Sequence, residues 1–314
     1  MDQGQRPALN MDLPREVALA ARHGDSDAVR AWLAAGGAPD AFRPDGVTIL
    51  TYACNSSRPS CASVVEMLCE AGAREEGGLG GKGGGLGFAA MLGAVDTVRV
   101  LLRYGAPVNA TNPYGVTALQ DAIVTNEWRR YRDPWTIAQA KTAVSMGHQG
   151  IVRLLLKHGA AVDANMTASR QTPLMIAAGY SGFISLGLVR ELLRGGADLD
   201  VVDHKGRNAE AIARSRLQNG IYTGEGIPEF PGTRRRPGAV EAFLALLAEV
   251  RAAGSWKRYA NEPRVNLVVL RKLTERGRAS VPRYHNMHTL FARRTLPDEL
   301  FWKILEFWRT DRDP

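Results

Sequence analysis

The chain has 314 residues, 45% of them hydrophobic and 23% charged, with a formal net charge of +8. No run of about 18 apolar residues is present to span a membrane, and no charged-then-apolar leader opens the sequence. Its three cysteines, Cys54, Cys61 and Cys69, are an odd number without a short metal-ligand pair, which argues for reduced thiols inside the cell and against a disulfide scaffold. From Arg251 onward there are 14 Lys or Arg against 7 Asp or Glu, so +7 of the +8 lies in the last 64 residues. The larger part is nearly neutral, which leaves it no sequence-wide footprint for phosphates and makes nucleic acid a disfavoured partner.

Five Gly-Ala steps close five apolar helical stretches, at Gly37-Ala38, Gly72-Ala73, Gly105-Ala106, Gly159-Ala160 and Gly196-Ala197. Their intervals of 35, 33, 54 and 37 residues predict a stack of two-helix repeats rather than one compact core. Pro14 to Ala35 makes the first repeat, with Asp25 opening its second helix. Asp45-Gly46-Val47-Thr48-Ile49-Leu50 reads as a hairpin tip and helix start, as do Tyr114-Gly115-Val116-Thr117-Ala118-Leu119 and Gln171-Thr172-Pro173-Leu174. A threonine hydroxyl caps free amides there, and proline at the first helical position loses no hydrogen bond. Ala53, Ala122 and Ala177 follow five residues after each threonine and let neighbouring helices pack closely. Gly84 to Gly93 fills the helix-start slot of the third repeat without threonine or proline, and Asn208 to Ala213 fills it in a sixth, whose second helix runs Ala239 to Arg251.

The stretch Val98 to Asn109 recurs at Ile151 to Asp163 and again at Leu188 to Asp200. This resembles the second helix of an ankyrin repeat, whose glycine takes the left-handed conformation that swings the chain into a hairpin. The Thr-Pro-Leu starts supply the other half. The resemblance implies an all-α ankyrin-repeat solenoid of about six repeats over residues 1–253, two of them carrying long insertions, that binds other proteins through a concave face of hairpin tips and first helices. It also places Asn109 where asparagine hydroxylases act on such repeats, a match of one residue that is treated as incidental.

Both insertions fall between the two helices of a repeat. Thr117 to Val152 spans 21 positions more than the corresponding Gly84 to Val98 and carries Trp128, Arg130, Tyr131 and Trp135, residue types common at binding hot spots. These four are a candidate partner-binding loop, with a fold-back over the solenoid as the alternative. The second insertion, Ile221 to Pro237, contains Arg234-Arg235-Arg236 and reads as solvated. Gly78 to Gly83 matches G-x-G-x-x-G, but no apolar strand precedes it, so a hairpin linker is the better reading. His285 and His288 have no local Cys or carboxylate to complete a metal site. No cofactor, metal or catalytic constellation is expected, and the chain is read as not an enzyme.

The tail, 254–314, reads as a small helical module. Leu296-Pro297-Asp298-Glu299-Leu300 opens a helix with proline at its start and acids in its first turn, and Leu300, Phe301, Ile304, Leu305 and Trp308 make one aromatic face. The run is similar to the opening of an F-box, in the shortened C-terminal form of poxviral ankyrin proteins. Leu267 to Leu273 followed by Leu296-Pro297 also resembles the layout of a SOCS box, with Arg271 departing from the usual small residue. Both resemblances imply docking on a cullin-ligase linker protein through Leu296, Pro297, Leu300, Phe301, Ile304 and Trp308, which makes the chain a ubiquitin-ligase adaptor. The alternative is a passive scaffold whose tail caps the solenoid, and a minor one is a nucleic-acid-associated regulator acting through the basic tail. A monomeric protein of the cytoplasm or nucleus, without membrane attachment, is expected.

Overall fold

The computed structural model describes residues 13–74, 84–112, 115–123, 148–165, 169–179, 185–218 and 238–261. The chain divides into two compact units, Met1–Leu244 and Ala245–Pro314. In the first unit the helices come in pairs: α1 (Arg15–His23) with α2 (Ser26–Ala34), α3 (Ile49–Cys54) with α4 (Ser60–Glu70), and α5 (Gly85–Met91) with α6 (Val95–Arg103). They continue as α7 (Ala118–Asp121), α8 (148–157), α9 (Pro173–Gly179), α10 (Leu186–Arg194) and α11 (Ala209–Gln218). Helix α12 (Ala239–Ala253) runs across the boundary between the units, and a short α13 (256–261) follows in the second, where the Trp256 and Tyr259 rings lie 5.4 Å apart. Among the described residues the extended pairings are isolated bridges, Phe42 with Thr48 and Thr111 with Thr117.

Two rows emerge from the contacts. Each first helix touches the next, from α1 through α3, α5, α7 and α9 to α11, while α2, α4 and α6 form a second row behind them. The apolar residues of the recurring stretch lie between the rows: Val64, Val65 and Leu68, then Val98 and Leu101, then Ile151, Val152 and Leu155, then Val189 and Leu192 are at most 1% exposed. Each such side chain contributes roughly 1.5–3 kcal/mol by leaving water, and the alternation with exposed arginines keeps one stripe of each helix inward. Ala53 and Ala122 are fully buried and Ala177 is 4% exposed, so the small side chain does bring the first helices together.

Helix starts follow the capping chemistry read from sequence. The hydroxyl of Thr48 accepts from the Thr51 amide at 3.1 Å, and that of Thr172 from Met175 at 3.4 Å. Thr117 forms a full capping box with Gln120, while α5 begins at Gly84 with no side-chain cap. At the other end, Gly72, Gly105, Gly159 and Gly196 have φ between +81° and +100°, and the following alanine amide reaches back to the carbonyl five residues earlier, as Ala106 does to Leu101 at 3.0 Å.

The first repeat departs from this register. Its left-handed residue is Gly36 (φ +91°), not Gly37, and the Gly37 amide makes the back-bond to Trp32 at 3.1 Å that alanine makes elsewhere. Position 37 is constrained by space instead: a Cβ there would lie 2.3 Å from Cε2 of the Trp32 ring. Two glycines therefore serve two constraints, one of backbone and one of space. Gly36→Ala, with nothing near its Cβ, is expected to cost on the order of 1–2 kcal/mol from φ alone, and Gly37→Ala about 1–3 kcal/mol from overpacking unless the indole moves. Thermal melting of the two variants separates the cases, and an unchanged midpoint for Gly37→Ala would show that Trp32 yields freely.

A second set of hydrogen bonds joins successive repeats. Asp40 Oδ1 accepts from the Arg74 amide at 3.0 Å, Asn109 Oδ1 from Ala161 at 2.8 Å, and both Asp163 carboxylate oxygens from Asp198 at 3.2 Å. In each case an Asp or Asn four residues after one left-handed glycine holds the amide two residues after the next. Asn109 also donates its amide to the Gly159 carbonyl at 3.0 Å, so the long insertion leaves the step between the third and fourth repeats intact.

Candidate functional site

Hydrogen bonds within the chain close three of the hairpin tips. Arg43 and Val47, Asn112 and Val116, and Asp203 and Arg207 each close a tip by an amide-to-carbonyl bond of 2.9–3.1 Å, with Gly46, Gly115 and Gly206 at positive φ. An acceptor side chain fixes every loop from inside: Asp45 Oδ1 takes the Val47 amide at 3.1 Å and Asn112 Oδ1 the Val116 amide at 3.0 Å. Asp203 is the most heavily bonded, accepting from the amides of Lys205 and Arg207 at 2.8 and 2.9 Å and from the Arg207 guanidinium at 3.1 and 2.8 Å. Burial pushes its carboxyl up, but the bonds from Arg207 and Lys205 outweigh burial and hold it at about 2. It is ionised at any pH near neutrality, and the sixth tip keeps its shape there.

Exposure along the first-helix row is uneven. Pro44, Asp45, Ala110, Thr111, Arg170, His204 and Lys205 at the tips are open to solvent, as are Arg15, Glu16 and Leu19 on α1. In the middle repeats the first helices are shut in: all of Gln171 to Ala178 is buried, as are Gly85 to Gly87 on α5 and Ala118 to Gln120 on α7. The expectation of first helices lining an accessible concave face is thus corrected for α5, α7 and α9. Their segments Gly85–Met91, Ala118–Asp121 and Pro173–Gly179 carry one charged residue, Asp121, and one polar side chain, Gln120, whose hydrogen bonds are satisfied within the protein. Among the described residues, the accessible part of this face is the row of tips together with exposed positions of α1 and of α11, where Arg214 and Gln218 are open to solvent.

Two side chains in α7 were missed at the sequence level. Gln120 is fully buried and ties its own cap to the next hairpin, receiving the Thr117 amide at 2.8 Å and donating to the carbonyls of Ala164 at 2.9 Å and Gln171 at 3.2 Å. Asp121 sits against Gly87, where a Cβ would lie 2.7 Å from its Oδ2, and desolvation raises its carboxyl to about 7. Gly24 and Gly93 form a further unread class, ending α1 and α5 at φ +76° and +74°. Ser60 packs against the first, and the buried His148, whose Nε2 lies 3.2 Å from the Met91 carbonyl, packs against the second.

Among the described residues no cluster of three or more His, Cys, Asp or Glu could hold a metal ion, and no helix is long and apolar enough to cross a membrane. The three cysteines form no disulfide, and burial raises the Cys61 thiol, which points at the Arg22 carbonyl 3.4 Å away. Trp128, Arg130, Tyr131 and Trp135 lie outside the described residues, as do Leu296, Pro297, Leu300, Phe301, Ile304 and Trp308. Gly78 to Gly83, Arg234 to Arg236, His285 and His288 do too.

Comparison with known proteins matches the repeats directly. The family model "Ankyrin repeats (3 copies)" matches residues 129–203, and "Ankyrin repeat" matches 86–113. Cyclin-dependent kinase 4 inhibitor B of Rattus norvegicus is 34% identical over 128 residues, covering 41% of this chain and 79% of that protein. The chain is an ankyrin-repeat protein. The Homo sapiens cyclin-dependent kinase 4 inhibitor B is likewise 34% identical, over 44% of the chain and 81% of that protein. B-cell lymphoma 3 protein homolog of Mus musculus is 29% identical over 216 residues, covering 67% of the chain and 42% of that protein. The ankyrin repeats and these relatives support a protein-interaction scaffold.

The first-row and second-row helices, the caps and the left-handed glycines of the ankyrin fold give that scaffold its rigidity.

Proposed function

We propose that this ankyrin-repeat protein is the substrate-recognition subunit of a cullin-type ubiquitin ligase, non-enzymatic in itself. The repeats, 1–253, hold a target protein along the hairpin tips, and the tail, 254–314, docks a linker protein through Leu296, Pro297, Leu300, Phe301, Ile304 and Trp308. The observation that carries the reading is the Leu-Pro-x-Glu-Leu run following ankyrin repeats, with its aromatic face. Prebuilt tips favour tight binding because no loop has to be ordered at the moment of contact. Trp128, Arg130, Tyr131 and Trp135 add a second set of target contacts. The receptor performs no chemistry, since holding a target beside a separate catalytic subunit raises the effective concentration of its lysines. Such a receptor acts as a monomer in the cytoplasm or nucleus.

A second reading, in which the tail caps the solenoid, follows from the need of a repeat stack to cover its open apolar end. Affinity purification of the intact chain beside a Leu296→Ala, Pro297→Ala double variant decides between them. A linker protein and a cullin should co-purify with the parent and vanish with a variant that melts at the same temperature. Absence of ligase components, or a variant that melts well below the parent, would establish the cap.

A further inference from the structure

The outer faces of the second helices carry a pattern that the interaction reading does not use. Counting back six and two residues from the left-handed glycine of each repeat gives Arg99 and Arg103 on α6, Arg153 and Lys157 on α8, and Arg190 and Arg194 on α10. Residues four apart share one helix face, and equal positions in successive repeats fall in line, so these six cations form a grid of two columns by three rows. In the second repeat the same positions hold Glu66 and Glu70. Cross-repeat ion pairs show that the rows are neighbours: Arg103 meets Glu66 at 2.7 Å, and Arg153 meets Glu191 of the next repeat.

The grid is least neutralised at its C-terminal end. Arg99 is paired with Asp96 on its own helix at 2.8 Å. Helices α8 and α10 carry four of these cations and a single acid, Glu191, whose side chain is 2% exposed. Arg153 binds one of its oxygens, Arg194 lies 3.6 Å from the other, and Gln149 donates at 3.2 Å. The two guanidinium groups, 51% and 36% exposed, are held side by side with spare donors toward solvent. Lys157 and Arg190 have no acidic partner among the described residues, and the buried Nε of Arg190 has no hydrogen-bond acceptor.

We propose that the outer face of α8 and α10 is a second docking surface, specific for an acidic segment of a protein, whose carboxylates bind Arg153, Lys157, Arg190 and Arg194. A carboxylate already stands within the patch, and the unneutralised cations are few. Those features suit a short acidic peptide better than the continuous phosphate row of a nucleic acid, which recruits many cations at once. The surface is separate from the hairpin tips, so a partner could occupy it while a target is held.

The test uses the full chain and a fluorescein-labelled octaglutamate peptide, with octaglutamine and a 12-base-pair DNA duplex as comparison probes. Octaglutamate should bind, octaglutamine should not, and the affinity should fall severalfold between 50 and 200 mM salt. A Lys157→Glu, Arg190→Glu variant, which breaks no ion pair among the described residues, should weaken octaglutamate binding at least tenfold. Arg58→Glu, between α3 and α4, should leave it unchanged. If the double variant melts early, Lys157→Glu alone should still weaken binding about threefold. Equal binding by parent and variants would assign the peptide to the basic tail and overturn the proposal, as would duplex binding that depends on Lys157 and Arg190 in the absence of peptide binding.

Discussion

Asp121→Asn is expected to stabilise the ankyrin array at pH 8 by on the order of 3–4 kcal/mol and to change it little at pH 4. The carboxyl is raised to about 7 by desolvation, from an ordinary value of 3.8. It lies between helices whose sequences, Gly85–Met91 and Pro173–Gly179, contain no charge that could compensate it. The folded state therefore keeps a proton that the unfolded chain releases above about pH 4. Stability from this group is present below that pH and is lost progressively as pH rises toward 7, after which the deficit is constant. Asparagine has the shape of the neutral acid and cannot ionise, so its advantage should grow over the same window. Chemical denaturation at half-unit pH steps measures this directly. A difference between parent and variant that is flat from pH 4 to 8 would mean that Asp121 finds water or a cation and titrates normally.

Gln120→Ala should be the most damaging single truncation among the described polar residues, lowering stability by about 3–5 kcal/mol. The substitution strands the Thr117 amide and removes the donor shared by the carbonyls of Ala164 and Gln171, and each buried group left unpaired costs roughly 1–3 kcal/mol. Thr117→Ala is the control because it removes a cap worth about 1 kcal/mol while leaving the bridge to the next hairpin. Denaturant melts of the two variants should differ by several-fold in the lost free energy. Similar losses would reduce Gln120 to its capping role.

These two residues show where reading along the chain stops. Gln120 and Asp121 are adjacent in a helix start that resembles every other, and nothing local distinguishes a solvated glutamine from one joining two repeats. What separates them from surface residues is the next hairpin, more than 40 positions away in sequence, and the neighbouring helix that approaches at Gly87. The first repeat makes the same point on a smaller scale. Both glycines of Gly36-Gly37 were visible, but that one answers to backbone conformation and the other to the Trp32 ring emerged only from the fold. The basic grid was legible as spacing once the glycine register was known, yet only the buried Glu191 reveals that two of its arginines are held together.

By itself the sequence determined the repeat period, the caps and turns, the small-residue contacts and hence the all-α ankyrin class, because each of these depends on interactions within a few residues. The tertiary structure decided which faces are accessible, which buried polar groups bridge repeats and which carboxyl resists ionisation. Those outcomes depend on desolvation and on partners brought together by stacking, and a one-dimensional pattern carries neither.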